Sequence, residues 1–406
     1  MRKLVLAVFV ISVSLLWAVP TKPPARKTAA KKSGAAAAKK RAASSKKPAG
    51  ATATARKKPA GATATARKKR PVTRRVRWTP WKEPTYADST IGDNVDGEDL
   101  VVRRAAVEAL GPYNGTVVVA DPNTGRVLTI VNQKLAYKSG FQPCSTFKVL
   151  VGLAALSEGI IDRDTPIHLY GRTSMNLTQA IAKSNNLYFE SLGRKLGFEK
   201  VSYYARLFGL GERATLGGDA EQPGTLPEEP PKNGGVSMMC SFGEGIQLSP
   251  LQYAAAISTI ANGGTLYYLQ HPQTQQEADG FQPRVKRHLE IQPWLAEIKP
   301  GMTGTTEYGT GRRAAYDSSE PILGKTGTCT DRTSPTHLGW FGSFNNVDRN
   351  RLVVVVLLTG GRPVNGPVAS GVAGNVYRAL SEKSYFAQER LHSPAGLVNS
   401  QACCGQ

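Results

Sequence analysis

The sequence predicts a mixed α/β fold of the α+β type, with a central antiparallel sheet packed against a helical layer. Strand-like runs occur near both ends of the body of the chain, and segments of helical periodicity lie between them. Turn signals join consecutive strands, so these strands are expected to pair antiparallel. The sheet would therefore be built from both chain ends, with the helices forming a layer against it.

The elements can be assigned in order along the chain. A helix over Asp99–Leu110 precedes a hairpin at Gly115–Gln133, which turns at Asp121–Gly125. Apolar residues at helical spacing predict three further helices, at Phe147–Glu158, Asn176–Leu196 and Ser249–Asn262. Strand-like runs at Ile322–Thr328, Gly339–Phe344 and Leu352–Thr359 then precede a closing helix at Gly371–Ser381.

Four segments are expected from composition. Residues 1–20 read as a signal peptide or a signal anchor, because Arg2 and Lys3 precede the apolar run Leu4–Val19. Residues 21–78 read as a disordered linker rich in Lys, Ala and Pro, residues 79–390 as the folded domain, and residues 391–406 as a tail. Both interpretations of residues 1–20 place the domain outside the cytoplasm, in the periplasm or cell wall. A signal anchor would in addition hold the protein in the membrane through residues 4–19.

The positive charge of the chain is concentrated in the linker. Of the 52 Lys and Arg residues, 22 precede position 79 with no acidic residue among them, which leaves 30 basic and 30 acidic residues in the remainder. The folded body is therefore balanced, and the high pI does not indicate a nucleic-acid-binding fold. The linker, with its tandem repeat at 46–56 and 57–67, is either a spacer or a contact to anionic membrane lipids, wall polymers or extracellular DNA through residues 22–77.

The cysteines and histidines give no sign of a metal or cofactor. Five cysteines are an odd number, so at least one must be unpaired or bonded to another chain, and none has zinc-ligand spacing. No two of the five histidines are spaced as ligands. We expect no metal and no cofactor, and only a packing role for Cys144.

The first of three chemical motifs is Ser145-Thr-Phe-Lys148. At a helix N-terminus Ser145 could cap the helix, and residues three apart share a helix face, so the Lys148 amine would point at the Ser145 hydroxyl. This pairing predicts a nucleophile beside a base, provided that Lys148 is desolvated enough to be neutral. The alternative is a capping serine with an exposed lysine.

The second and third motifs are polar. Ser184-Asn185-Asn186 offers a hydroxyl that could relay a proton and an amide that could hold a carbonyl. Lys325-Thr326-Gly327-Thr328 lies on a strand, where Gly327 would let a ligand backbone approach the strand edge. A phosphate-binding loop is excluded there, because Ser319 occupies the position of its first required glycine.

Together the motifs resemble the set S-x-x-K, S-x-N and K-T-G of penicillin-binding proteins and serine β-lactamases. Further stretches are similar to penicillin-binding transpeptidase domains and extend the resemblance over about Glu108–Leu380; they are Asp121–Gly125, Phe242–Ala254, Ile260–Gly264, Gly309–Gly311 and His337–Gly342. The resemblance implies a β-lactamase/transpeptidase-like fold with the S-x-x-K helix in its helical layer. The sequence departs from the longer members of the family, because residues 79–105 are too few for a large non-catalytic module, and we expect a minimal layout of leader, linker and catalytic domain.

The resemblance implies four catalytic residues. Ser145 would be acylated by a D-Ala-D-Ala stem peptide of peptidoglycan or by a β-lactam. Lys148 would activate Ser145, Ser184 would relay a proton to the leaving amine, and Asn186 would hold the substrate amide.

It likewise implies the residues that bind substrate. Lys325 and Thr326 would hold the substrate carboxylate, with Gly327 and Thr328 alongside. The backbone N–H groups of Ser145 and Thr328 would form the oxyanion hole.

The activity expected is that of a D,D-transpeptidase or D,D-carboxypeptidase. A class D-like serine β-lactamase or a penicillin sensor is the alternative, and a basic scaffold with an inactive site is a third reading. Against the β-lactamase, position 186 is Asn where class D enzymes carry an apolar residue, and no deacylating Glu of the class A kind is found.

Overall fold

The computed structural model describes residues 81–216, 220–331, 335–347 and 350–387. The predicted leader, linker and tail lie outside these residues. Among the helices of the described part, none is long and apolar enough to cross a membrane.

Most helices of the described chain lie between the first hairpin and the last three strands. The helices are α1 Leu100–Leu110, α2 Gln133–Ala136, α3 Lys148–Ser157, α4 Leu177–Ala182, α5 Asn186–Leu196, α6 Phe198–Leu207, α7 Gly235–Phe242, α8 Pro250–Ala261, α9 Gln275–Asp279, α10 Leu295–Glu307 and α11 Gly366–Ser381. The strands are β1 Gly115–Ala120, β2 Val127–Val131, β3 Ile167–Tyr170, β4 Thr173–Met175, β5 Thr265–Tyr267, β6 Val285–His288, β7 Ile322–Asp331, β8 Thr336–Asn345 and β9 Val353–Gly360. Short 3-10 helices cover Cys144–Phe147, Gln292–Trp294 and Arg312–Ala314.

The central sheet has five antiparallel strands in the order β2-β1-β9-β8-β7. The first hairpin therefore pairs with the last strand, and the prediction of a sheet built from both chain ends is confirmed. Strand β7, which carries the Lys-Thr-Gly-Thr motif, lies at one edge.

Both faces of this sheet are buried, as alternate residues of β9 show. Val353, Val355 and Leu357 belong to a core shared with α3, α5 and α8, whereas Val354, Val356 and Leu358 belong to a core shared with α1 and α11. Because successive strand residues point to opposite faces, the two cores lie on either side of the sheet. The helix α3 lies in the first core, so the helical layer carries Lys148 as predicted.

Capping explains where several predicted helices begin. Asp99 accepts hydrogen bonds from Val101 N and Val102 N at the start of α1. Helix α8 begins with a capping box between Ser249 and Gln252, with a proline in its first turn.

Two predicted helix boundaries are wrong. The stretch predicted as one helix over 176–196 is divided into α4 and α5, with residues 183–185 between them. The closing helix begins at Gly366 instead of Gly371, because Asn365 caps it by accepting from Val368 N. The apolar period continues across both points, and local capping side chains decide the boundaries.

Candidate active site

Ser145 and Lys148 meet at the start of the helical layer. Ser145 lies in the 3-10 helix Cys144–Phe147, and Lys148 is the first residue of α3. The Lys148 Nζ atom lies 2.9 Å from Ser145 Oγ. The predicted capping role of Ser145 is wrong, because neither of these helices has a side-chain cap and the serine oxygen contacts the lysine instead.

Lys148 is completely buried, and its amine has further polar partners. It donates to the Ser184 backbone oxygen at 3.0 Å and to Asn186 Oδ1 at 2.5 Å. Both oxygens can only accept, so they take two of the amine hydrogens. In the neutral amine this leaves the lone pair for Ser145, which is the arrangement that a base requires.

The surroundings of Lys148 favour that neutral form. The rings of Phe189 and Phe242 lie with their centres 5.7 and 6.0 Å from Nζ. Burial lowers the pKa of Lys148 to about 7, against a smaller opposing effect of the Glu190 carboxylate. The neutral and protonated forms of the amine are therefore both populated at neutral pH.

The break between α4 and α5 presents Ser184 to the same point. Ser184 has a φ of 54°, in the left-handed region, and Asn185 caps α5 by accepting from Tyr188 N at 3.0 Å. Asn186 then begins α5. We call residues 183–185 the Ser184 loop. The division of the predicted single helix is what turns Ser184 toward the two lysines.

Lys325 approaches Ser184 from the sheet. Its side chain on β7 is completely buried, and Nζ donates to Ser184 Oγ at 2.8 Å and to Thr326 O at 3.0 Å. Burial lowers the pKa of Lys325 well below its usual value, and the neighbouring charge of Lys148 lowers it further. The Ser184 hydroxyl thus lies between two amines, since Lys148 Nζ is 3.3 Å from it.

The hydroxyls of the β7 motif are held by neighbouring segments. Thr326 Oγ1 lies 2.5 Å from Thr310 Oγ1 in the loop after α10, and Thr328 Oγ1 accepts from Gly366 N at the start of α11. Thr328 is exposed, whereas Thr326 is buried. Sequence reasoning missed Thr310 and Gly366 as supports, although Thr310 lies within the Gly-Thr-Gly stretch that carries part of the family resemblance.

Gly327 is required for packing of the strand rather than for room beside a ligand. A Cβ atom there would lie 2.9 Å from both Pro143 O and Thr146 Cγ2. Strand β7 therefore lies directly against the 3-10 helix that carries Ser145. We call this contact, between residues 143–147 and 325–329, the helix–strand junction.

A disulfide closes the helix–strand junction, and sequence reasoning did not find it. Cys144 and Cys329 are bonded, with their Cα atoms 5.7 Å apart, across 185 residues of sequence. The expectation of a packing role for Cys144 was incomplete, because this buried residue is also a crosslink. A signal existed in the motifs themselves, since one cysteine precedes Ser145 and the other follows Thr328. Cys240 in α7 is a buried free thiol, and Cys403 and Cys404 lie outside the described residues.

All eight residues singled out by the motifs thus lie at one place, around the first turn of α3, the Ser184 loop and β7. Within the described ranges, no group of three or more His, Cys, Asp or Glu side chains could hold a metal ion.

Comparison with known proteins decides the family. The family model of the penicillin binding protein transpeptidase domain matches residues 115–382. The chain belongs to this family. The match includes all three motifs and the whole central sheet, from β1 to β9.

Among penicillin-binding proteins, two relatives illustrate the range of similarity. Stage V sporulation protein D of Bacillus subtilis is 29% identical over 355 residues, which cover 74% of this chain and 54% of that protein. Peptidoglycan D,D-transpeptidase PbpA of Mycobacterium tuberculosis is 26% identical over 339 residues, 67% of each chain. This chain spans about half the length of several curated relatives that it matches.

The fold is also that of a solved D,D-transpeptidase domain. The D,D-transpeptidase domain of a peptidoglycan glycosyltransferase from Eggerthella lenta matches with a TM-score of 0.55 and 20% identity, over 70% of this chain and 82% of that one. At this identity the likeness concerns the fold, and it agrees with the predicted transpeptidase-like architecture.

Proposed function

We propose that this protein is a penicillin-binding D,D-transpeptidase or D,D-carboxypeptidase that cleaves peptidoglycan stem peptides through an acyl-enzyme on Ser145. The observation that carries the proposal is the contact between Ser145 Oγ and the buried amine of Lys148, whose pKa burial lowers to about 7. A serine is a weak nucleophile unless an adjacent base takes its proton, and this amine is positioned to do so.

The contacts around Ser145 support the following acylation step. As Ser145 Oγ attacks the carbonyl carbon of the penultimate D-Ala, its proton passes to Lys148 Nζ. The negative charge that develops on the carbonyl oxygen would be stabilised by the backbone N–H groups of Ser145 and Thr328. The proton then moves through the Ser184 hydroxyl to the nitrogen of the terminal D-Ala, which leaves as an amine. An ester on Ser145 remains.

The acceptor that attacks this ester decides the product. An amine of a second stem peptide gives a cross-link, whereas water gives a shortened peptide. In both cases Lys148 takes the acceptor's proton and returns it to Ser145 Oγ as that oxygen leaves.

The substrate carboxylate would be held by the hydroxyls of Thr326 and Thr328. The exposed Thr328 hydroxyl accepts from Gly366 N and so has its own hydrogen to donate, and Thr326 lies beside it. The Lys325 amine is turned toward Ser184, so we assign it to orienting that hydroxyl. Asn186, already bonded to Lys148 through its oxygen, can use its amide hydrogens for the substrate amide.

The contact of Asn186 with Lys148 argues against the class D-like β-lactamase. That chemistry uses a carboxylated lysine, whose negative charge would face the Asn186 amide oxygen at the position now taken by an N–H donor. A free amine is favoured here, and we expect it to activate water on a β-lactam acyl-enzyme more slowly than a carboxylated lysine would. We expect β-lactam adducts that persist for many minutes.

The experiment is time-resolved labelling of the full-length protein with a fluorescent penicillin. One adduct should form, on the peptide that contains Ser145, and Ser145→Ala should give none. Ser139→Ala, in the preceding loop, is the matched control and should label normally. An adduct on Ser145→Ala would overturn the assignment, and rapid bicarbonate-stimulated turnover of a chromogenic cephalosporin would favour the β-lactamase.

We further propose that residues 1–20 export the protein to the periplasm or cell wall, and that residues 22–77 bring it to anionic membrane lipids or wall polymers. Support comes from the 20 basic residues without an acidic one in this stretch. Deleting residues 22–77 should leave acylation unchanged and weaken retention on anionic vesicles. Retention should fall with salt, because charges are screened over about 10 Å at 0.1 M; retention insensitive to salt would leave only the spacer role.

A further inference from the structure

We propose that the Cys144–Cys329 disulfide is a positioning element for acyl transfer, so that the rate of acylation depends on the redox state of this pair. The inference rests on the proposed function of Ser145. The disulfide would act through the two backbone N–H groups assigned to the oxyanion hole, whose separation it fixes.

The location of the crosslink is the first argument. Cys144 is bonded through its backbone to Ser145, and Cys329 in the same way to Thr328. The disulfide holds their Cα atoms 5.7 Å apart. The Ser145 N–H lies in the peptide unit that joins Ser145 to Cys144, and the Thr328 N–H lies one residue further from Cys329, although 185 residues separate the cysteines along the chain.

The backbone of Cys144 gives the second argument. Its φ of 54° lies in the left-handed region, which residues other than Gly, Asn and Asp seldom adopt. Such a conformation persists only where its surroundings hold it in place. The disulfide is one of these constraints, and it is the covalent one.

The third argument is the position of β7 in the sheet. As an edge strand, β7 is bonded through its backbone to β8 on one side only, and the face that carries Gly327 and Cys329 packs on the 3-10 helix. At Gly327 this contact is close packing, with Pro143 and Thr146 as the neighbours. Two residues further along, the disulfide replaces packing with a bond, which fixes the spacing near the exposed end of the motif.

Reduction would release this spacing. Cys144 is buried and Cys329 is half-buried, so a dithiol reductant would reach the Cys329 sulfur first. A thiolate of the reductant would form a mixed disulfide with Cys329 and expel Cys144 as a thiolate. The second thiol of the reductant would then attack the reductant sulfur of the mixed disulfide and expel Cys329 as a thiolate. Two electrons and two protons thus pass to the protein, which is left with two free thiols.

The size of the effect depends on the sensitivity of catalysis to geometry. A displacement of about 1 Å can cost about 10²-fold in rate, and loss of one oxyanion donor about 10²–10³-fold. The strand and the helix remain packed at Gly327, so we expect the smaller range, a roughly 10- to 100-fold slower acylation. The substrate carboxylate site should change little.

The test separates binding from chemistry in the full-length protein. Oxidised protein and protein reduced with dithiothreitol, then desalted without oxygen, are each mixed with benzylpenicillin, and thiols are counted in both. The apparent dissociation constant should change less than about threefold, while the acylation rate constant falls at least tenfold and returns on reoxidation. If the crosslink only stabilised the fold, its reduction would lower the melting temperature and leave the acylation rate constant unchanged in protein that remains folded.

Two variants complete the test. The double variant Cys144→Ala/Cys329→Ala should acylate slowly and show no response to the reductant. Cys240→Ala, the matched control at the free thiol, should acylate rapidly when oxidised and keep the full response. If the double variant does not fold, the reduction of the natural protein still decides.

Several results would overturn the inference: equal acylation rate constants in the two redox states, a reductant effect that persists in the double variant, or two free thiols at these positions in oxidised protein. Oxidised protein that acquires no adduct at all would instead refute the proposed function, so the two failures are distinguishable.

Discussion

The two segments that meet at Lys148 are built in different ways. The helix–strand junction is closed by a disulfide and by a glycine that leaves no gap, whereas the Ser184 loop is held by hydrogen bonds and by the cap at Asn185. The junction positions backbone N–H groups, and the loop positions a hydroxyl between two amines. Groups that stabilise charge must not move during the reaction, whereas a hydroxyl that relays a proton must rotate. The difference in construction therefore matches the difference in proposed roles.

The largest effect should come from Lys148, the residue that contacts both segments. Lys148→Ala should slow acylation by about 10³-fold, since general-base catalysis contributes typically 10²–10⁴-fold. Lys148→Arg keeps the charge but cannot deprotonate, so it should be about as slow. Single-turnover labelling with penicillin measures both variants, and an arginine variant of near-normal rate would show that charge, not basicity, is the requirement.

The next effect concerns the hydroxyl of the Ser184 loop. Ser184→Ala should slow acylation by about 10²-fold through loss of the proton relay. Ser184→Gly loses the same hydroxyl but suits the left-handed φ of 54°, so it should be equally slow and more stable to heat than the alanine variant. Recovery of activity in the glycine variant would show that backbone strain, rather than the hydroxyl, is what the loop contributes.

A third test uses pH. The base must be unprotonated, and burial lowers the pKa of Lys148 to about 7, so the acylation rate should rise with pH through about 7 and level off above it. At pH 5.5 the rate should be roughly 30-fold below the plateau, because 1.5 pH units separate it from that pKa. Circular dichroism at each pH serves as the control for folding. A rate that is flat from pH 5.5 to 8.5 would exclude Lys148 as the titrating base.

The smallest effect is expected at the packing contact of the helix–strand junction. Gly327→Ala places a methyl group 2.9 Å from Pro143 O, which is backbone and cannot turn away, so acylation should slow about tenfold. Gly371→Ala in α11 is the matched control, since its nearest neighbour, Arg313 Cβ, lies at an ordinary 3.5 Å. That variant should keep its acylation rate, and equal rates in both variants would mean that the junction tolerates displacement.

The sequence was sufficient for those parts of the site that depend on local spacing. Ser145 and Lys148 are three residues apart at a helix start, and this alone brings the amine to the hydroxyl. The strand period likewise predicted the antiparallel sheet. The mutual position of the three motifs could be expected only through the family resemblance, because it depends on tertiary packing.

Other features were missed for physical reasons. Apolar spacing continues from α4 into α5, so periodicity joined them, although the side chains of Asn176 and Asn185 each cap a helix. Helix α10 contains Pro300 and two glycines, which local preference counts against a helix; it persists because Gly301 packs on Ile181. The partner of Cys144 could not be deduced, since cysteine connectivity is not encoded in spacing.

The pairing of β1 with β9 has a consequence for how the chain folds. Gly115 of β1 and Leu358 of β9 are register partners more than 240 residues apart. Strand β1 therefore cannot be paired on both sides until almost the whole domain has been synthesised. Contacts of such long range close slowly, and the free edge of β1 offers unpaired backbone groups to other chains in the meantime. We therefore expect a nascent or truncated chain that lacks β9 to aggregate rather than to form a partial domain.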